Sequence, residues 1–259
     1  MPKLAANITM LFTEYPLLER FDRAAAAGFT GVELLFPYVE TPDSVLAALK
    51  DNNLDLVLFN LPAGDWAAGD RGLAAQPARR EEFAAGLKLA VQYASTLRPT
   101  RINCLAGKLG SEENALAVLA ENVEMAGGAL EQVGVLLTVE PVNTFDVPDF
   151  ALPTTQSALD LISALDSQNV GLQYDIYHAM RMGEDPFQFI AEHGREIRHI
   201  QIADVPGRHQ PGTGDVDFDT LFRVMDDSGY DGWVSLEYIP EGATEDGFEL
   251  LRELGVLAG

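Results

Sequence analysis

The chain has 259 residues, 47% of them apolar, enough to bury one large core or two smaller ones. Its formal charge is −23, from 40 acidic side chains against 17 lysines and arginines. Such a charge opposes nucleic-acid phosphates and anionic membrane surfaces, leaving small solutes and cations as the expected partners. The opening Met1-Pro2-Lys3-Leu4 lacks the apolar stretch of a signal peptide, and no later run approaches the ~18 to 20 apolar residues of a membrane span. A soluble, cytoplasmic protein is therefore expected.

In chain order, short apolar runs alternate with helical patterns, the signature of repeated βα units. A strand at 4–10 is followed by Leu11-Phe12-Thr13 where a dinucleotide fold would carry G-x-G-x-x-G, so an open doubly wound sheet loses its main signal. A helix at 17–27 ends at Gly28, and a strand at 31–36 precedes Thr41-Pro42, a capping hydroxyl with proline at the first helical position, ahead of a helix at 44–51. A strand at 55–61 precedes a helix at 78–96 whose Phe83, Leu87, Ala90, Val91 and Ala94 share one face. The strand at 101–106 holds Cys104, which cannot form an internal disulfide and is expected to be a buried, unreactive thiol.

Beyond a helix at 113–132 and the turn at Gly134, strands are predicted at 135–140 and 170–175 with a helix at 156–165 between them. Asp185-Pro186, with Gln188 placed to close a capping box, opens a helix at 187–193. The last units are a strand at 199–203, a helix at 218–227 ending at Gly229, a strand at 233–237 and a helix at 244–254. Gly212-Thr213-Gly214, preceded by Pro211 and followed by Asp215 and Asp217, is turn chemistry, since the acids would repel a phosphate. Eight βα pairs predict a single α/β domain spanning 1–259, a (β/α)8 TIM barrel.

Four polar side chains stand at the C-terminal ends of the last four strands: Glu140, Asp175, Gln201 and Glu237. A carboxylate ending one strand is often only a helix cap. On adjacent strands of a closed barrel, however, the four converge at one mouth, where three carboxylates repel unless a cation neutralises them. Oxygen ligands suit a hard ion, Mg²⁺ or Mn²⁺. His178, three residues after Asp175, is placed to orient a ligand, bond the substrate or ligate.

The segments 60–69 (NLPAGDWAAG), 102–108 (INCLAGK), 140–143 (EPVN), 173–178 (QYDIYH), 199–204 (HIQIAD) and 211–214 (PGTG) resemble the hydroxypyruvate isomerase family of the xylose-isomerase-like barrels. The likeness begins at 6–12 (ANITMLF) and closes at 236–238 (LEY). It implies interconversion of hydroxypyruvate and tartronate semialdehyde, with Glu140, Asp175, Gln201 and Glu237 as metal positions and Glu140 and Glu237 also as acid and base. Asn103 and His178 of those segments are expected at the substrate. Relatives acting on larger 2-oxo sugar acids share the motifs, so the chain length of the small anionic 2-oxo or hydroxy acid substrate stays open.

The implied reaction passes through an enediolate, whose charge a chelated divalent ion stabilises while two glutamates move the protons. The substrate carboxylate needs a cation, and Lys108, after the fourth strand, and Arg208-His209, after the seventh, are the expected sources. Pro206, Gly207, Pro211 and Gly212 would let the latter pair act as a lid. Trp66, with Phe12 and Tyr15, is expected to wall the site against water. Alternative functions are a ketose 3-epimerase of the same superfamily, a sugar-acid binding protein and a metal-dependent apurinic endonuclease. The last is disfavoured by the acidity and by the presence of only four histidines. Pairing of outer helices into a homodimer is expected.

Overall fold

The computed structural model describes residues 2–258; Met1 of the opening tetrapeptide and Gly259 lie outside them. Eight parallel strands close in sequence order: β1 (Lys3–Asn7), β2 (Gly31–Leu34), β3 (Asp55–Asn60), β4 (Arg101–Cys104), β5 (Leu136–Val139), β6 (Val170–Asp175), β7 (Ile197–Ile202) and β8 (Trp233–Leu236). Closure is made by β1, which pairs Ala5 with Gly31 of β2 on one side and with Ser235 of β8 on the other. The predicted barrel is thus the observed one. Among the described residues, no helix is long and apolar enough to cross a membrane.

Strand residues alternate between two environments, as a two-residue side-chain period requires. One set, including Ala6, Val32, Leu34, Ile102, Leu137, Val139, Leu172, Ile200, Ile202, Val234 and Leu236, is buried in the main apolar core. The other set carries the buried Asn7, Glu33, Asn103, Thr138, Gln173 and Gln201; Asn7 bonds Glu33, Thr138 bonds Gln173, and Gln201 bonds both Gln173 and Glu33 across the barrel, while Asn103 donates to Glu140. Ala5, Val57, Leu58 and Trp233 form a separate apolar cluster. Gly31 leaves room for the Trp233 ring, since a β-carbon there would lie 2.6 Å from it.

The helices are α1 (Arg20–Ala26), α2 (Pro42–Asp51), α3 (Arg80–Leu97), α4 (Ala115–Glu131), α5 (Thr155–Ala164), α6 (Ile176–Arg181), α7 (Pro186–His193), α8 (Phe218–Ser228) and α9 (Glu249–Glu253). Thr41 caps α2 as expected, accepting from Ser44 N at 3.2 Å, and Gly28, Gly134 and Gly229 adopt φ of 101°, 72° and 77°. Four expectations need correction. The first strand stops at Asn7, because the Asn7 carbonyl accepts from Met10 and Leu11 N and bends the chain away. The predicted helix at 17–27 starts with a 3-10 turn, Leu17–Glu19, before α1. Only half of the capping box at α7 forms: Asp185 accepts from Phe187 and Gln188 N, but the Gln188 amide turns to Glu192. The final predicted helix is a 3-10 turn, Thr244–Phe248, followed by the short α9, because Thr244 is tied to Phe12 N and Phe248 packs on Phe12 and Phe29.

Candidate active site

The C-terminal ends of the strands open into a cavity of about 260 Å³. Its walls are apolar at Met10, Leu35, Leu105, Val142, Val147 and Phe150, and its chemistry is at Glu140, His178, Arg208 and Glu237. Asp175 ends β6, while Glu140 and Glu237 are the first residues beyond β5 and β8. All three carboxylates are buried.

Each acid is held by named donors. Glu140 Oε2 accepts from Asn103 Nδ2 at 2.8 Å and Gln173 Nε2 at 3.0 Å. Glu237 accepts from Asn7 Nδ2 at 3.1 Å on one oxygen and from Arg208 Nη2 at 2.6 Å on the other. Asp175 uses Oδ1 to cap α6, taking Tyr177 N at 2.7 Å and His178 N at 3.3 Å. Its Oδ2 is buried with no hydrogen-bond partner, 3.6 Å from both His178 Nε2 and Arg208 Nη2. Because His178 Nε2 is also 3.9 Å from Glu140 Oε1, Asp175 stands between the two glutamates, bridged to one by the histidine and to the other by the arginine.

Gln201 lies in the same network just below. Its Oε1 accepts from Gln173 Nε2 at 2.6 Å, and its Nε2 donates to Glu33 Oε1 at 2.5 Å. Glu33 also accepts from Asn7 at 2.9 Å and meets His199 Nε2 at 2.7 Å, and His199 Nδ1 faces Arg101 Nη1 at 3.0 Å. With Nδ1 accepting from the arginine, a neutral His199 carries its proton on Nε2, toward Glu33. A continuous chain of hydrogen bonds therefore runs from Glu140 through Gln173, Gln201, Glu33 and Asn7 to Glu237.

Burial dominates the electrostatics. It drives Glu140 well above the ordinary carboxylate range, with the charges of Glu237 and Asp175 adding to the rise. Burial likewise pushes Asp175 up to about 8 and Glu237 to about 7, both partly countered by Arg208. Three buried acids with one arginine are short of positive charge, which a divalent ion would supply. The orphaned Asp175 Oδ2 fits such an ion, and one oxygen each of Glu140 and Asp175 and a nitrogen of His178 lie within 4.8 Å of one another. His178 is better suited to donate than to ligate: Asn143 directs its side-chain Nδ2 at 2.6 Å and its backbone N at 3.4 Å onto Nδ1. The neutral ring then carries its proton on Nε2, pointing at the acids. The Asn143 amide is itself oriented by Phe145 N and Asp146 N, which both donate to its oxygen.

The remaining expected residues are distributed unevenly. Trp66 and Arg208 line the cavity. Asn103 sits beneath Glu140 as its donor, outside the cavity lining. Lys108 is also outside the lining, with its backbone bridged to Phe150 and its charge acting on Asp70. His209 is turned away, with Nδ1 2.7 Å from the Ile239 carbonyl and Nε2 3.8 Å from Glu241. Phe12 packs in the core against Phe248, and Tyr15 lies under Arg23, 4.3 Å from ring centre to guanidinium; neither lines the cavity. Sequence reasoning missed Arg71, Asn143, Glu33 and Gln173. Arg71 shares the glycine-rich loop of Trp66, and Asn143 and Gln173 stand in the family-like segments 140–143 and 173–178, signals that were available; Glu33 is an ordinary polar residue until the barrel closes.

The chain matches the family model described as xylose isomerase-like TIM barrel over residues 21–254. It is 45% identical to hydroxypyruvate isomerase of Escherichia coli, over 95% of this chain and 97% of that protein. It is 38% identical to 2-oxo-tetronate isomerase of Cupriavidus necator, over 97% and 98%. A solved structure described as an AP endonuclease, family 2, from Brucella melitensis superposes with a TM-score of 0.94 at 40% identity, covering 98% of this chain and 99% of that one.

Proposed function

The chain belongs to the hydroxypyruvate isomerase family of xylose isomerase-like TIM barrels, and on that footing we propose a metal-assisted isomerase of short 2-oxo acids. Hydroxypyruvate and tartronate semialdehyde are the reactant pair favoured by the Escherichia coli relative, and the Cupriavidus necator relative makes a four-carbon 2-oxo acid the next candidate. The observation that carries the reading is the placement of two buried glutamates on either side of an aspartate with an unbonded oxygen. A cavity near or below the small end of the usual ~300–1,000 Å³ range suits a substrate of a few carbons.

Glu140, Asp175, Gln201 and Glu237 would hold Mg²⁺ or Mn²⁺, which when bound supplies Lewis acidity to the substrate's oxygens. One glutamate takes a proton from the hydroxyl-bearing carbon, that C–H electron pair forms the carbon–carbon double bond while the carbonyl π pair moves to its oxygen, and an enediolate results; the proton of the original hydroxyl then passes to the former carbonyl oxygen, so that the first oxygen becomes the new carbonyl. The second glutamate returns a proton to the neighbouring carbon. A Glu237 carboxyl pushed by burial to about 7 suits this work, because proton transfer is most effective when the group's pKa lies near the working pH. His178 Nε2 offers a hydrogen bond to a developing oxyanion, and the apolar walls limit the water that would quench it.

An endonuclease is a poorer fit. The candidate metal cluster among the described residues contains one histidine, and the net charge of −23 opposes a DNA backbone. Purified protein supplied with Mg²⁺ or Mn²⁺ is expected to convert hydroxypyruvate or 2-oxo-tetronate, to lose that activity in EDTA and in Glu140→Gln or Glu237→Gln, and to leave an abasic duplex intact. Cleavage of that duplex with no turnover of either acid would overturn the reading.

A further inference from the structure

Two arginines line the cavity, and they are not equivalent. Arg208 is committed to the acids: its Nη2 lies 2.6 Å from Glu237 and 3.6 Å from Asp175. Withdrawing it would leave buried carboxylates uncompensated. Arg71 makes no ion pair among the described residues, in a chain where acids outnumber lysines and arginines by more than two to one. Its own neighbour Asp70 is already occupied, accepting from Arg79 Nη1 at 2.7 Å and from Asp65 N at 2.7 Å.

The guanidinium of Arg71 is held from one side only. Nη1 donates to the carbonyls of Trp66 at 3.1 Å and Asp70 at 2.7 Å, and the guanidinium carbon stands 4.0 Å from the centre of the Trp66 ring. Trp66 is braced in turn by the edge of Phe36 at 5.2 Å. Both bonds fall on Nη1, and the Nε–Nη2 edge has no protein acceptor among the described residues. That edge has the planar two-donor geometry that matches a carboxylate. The loop that carries it is fixed at its end, where Gly72 bridges to Ala106 and its N donates to the Ala63 carbonyl at 3.1 Å. A β-carbon on Gly72 would lie 2.2 Å from the Leu105 carbonyl oxygen.

We propose that Arg71, lying on Trp66, takes the carboxylate of the substrate and so selects 2-oxo acids over uncharged sugars in this barrel. The proposal rests on the 2-oxo acid reading above and assigns the anchoring role that Lys108, Arg208 and His209 do not fill. Stacking on an indole holds the flexible arginine side chain in place before the acid arrives, so less ordering is needed on binding.

The test is Arg71→Gln and Arg71→Lys in the full chain, with circular dichroism to confirm that both fold. Loss of a charge-assisted pair raises KM for the acid about 10- to 100-fold with kcat within about threefold, and lysine recovers part of the loss. A second readout needs no turnover: pyruvate is titrated against tryptophan fluorescence, with Trp66→Phe identifying the responding ring. A saturable change is expected that weakens at least tenfold in Arg71→Gln. Wild-type pyruvate affinity or an unchanged KM in Arg71→Gln would overturn the proposal, as would no saturable change in wild type or a loss confined to kcat. Pyruvate binding through Arg71 with no conversion of hydroxypyruvate or 2-oxo-tetronate would sink the isomerase reading and leave the anchor standing.

Discussion

Asp175 gives one oxygen to the helix that follows it and keeps the other unbonded, so its structural and chemical roles can be separated by substitution. Asp175→Asn retains a capping oxygen and should fold with a melting temperature close to wild type, yet bind Mn²⁺ at least tenfold more weakly by calorimetry. Asp175→Ala should also lose about 1 kcal/mol from the missing cap. The acids' raised pKa values set a sign for pH. A carboxyl raised to about 8 in the fold stabilises below its unfolded value near 4 and loses that contribution as pH rises through about 8. Protons and the proposed metal would then compete for the same oxygens, so the rise in melting temperature given by Mg²⁺ or Mn²⁺ should be larger at pH 8 than at pH 5; the reverse order would contradict this assignment. Cys104 is a simpler case: burial pushes its thiol up to about 12, and it should resist a disulfide reagent at pH 8 until the protein is unfolded.

At the scale of elements, the loops decide what the mouth can do. The loop after β7 is gathered by one side chain: Asp204 accepts the backbone N–H groups of Val205, Gly212, Gly214 and Val216, and Arg208 between them sits at φ 57°. Asp204→Ala should free this loop, giving early cleavage in limited proteolysis and a loss in kcat/KM larger than the loss in melting temperature would suggest. An unchanged proteolysis pattern would argue against that role. The Pro and Gly residues around Arg208 were legible as turns, but the pinning was not, because it depends on where a single aspartate points. The helix α6 went unread for a similar reason. Its six residues are too few to show a period, and a carboxylate at a strand end reads as a ligand as readily as a cap, the role Asp175 also fills at α6. Strands were easier, since β-branched runs and their spacing need no knowledge of distant contacts; the errors lie at their ends, where a side chain such as Asn7 turns the chain early.

For the molecule as a whole, closure of the barrel turns scattered residues into a site. Glu140, Asp175, Gln201 and Glu237 could be picked from the chain because a barrel places strand ends at one mouth. The roles of Asn7, Glu33 and Gln173 could not be read there, because they consist in bonding partners up to 230 positions away. Of the expected cations, Lys108 follows the right strand, but it lies outside the cavity lining with its charge acting on Asp70, while Arg71 reaches the cavity on a loop fixed by a bridge to Ala106. In the proposed reaction this barrel moves protons on a 2-oxo acid with Glu140, Glu237 and a divalent ion. Proton NMR of hydroxypyruvate and of 2-oxo-tetronate in D₂O with Mg²⁺ tests it most directly. One of them should be converted by wild type, with EDTA, Glu140→Gln and Glu237→Gln each abolishing the change; unchanged spectra with wild type, or equal conversion in EDTA and in both variants, would contradict it.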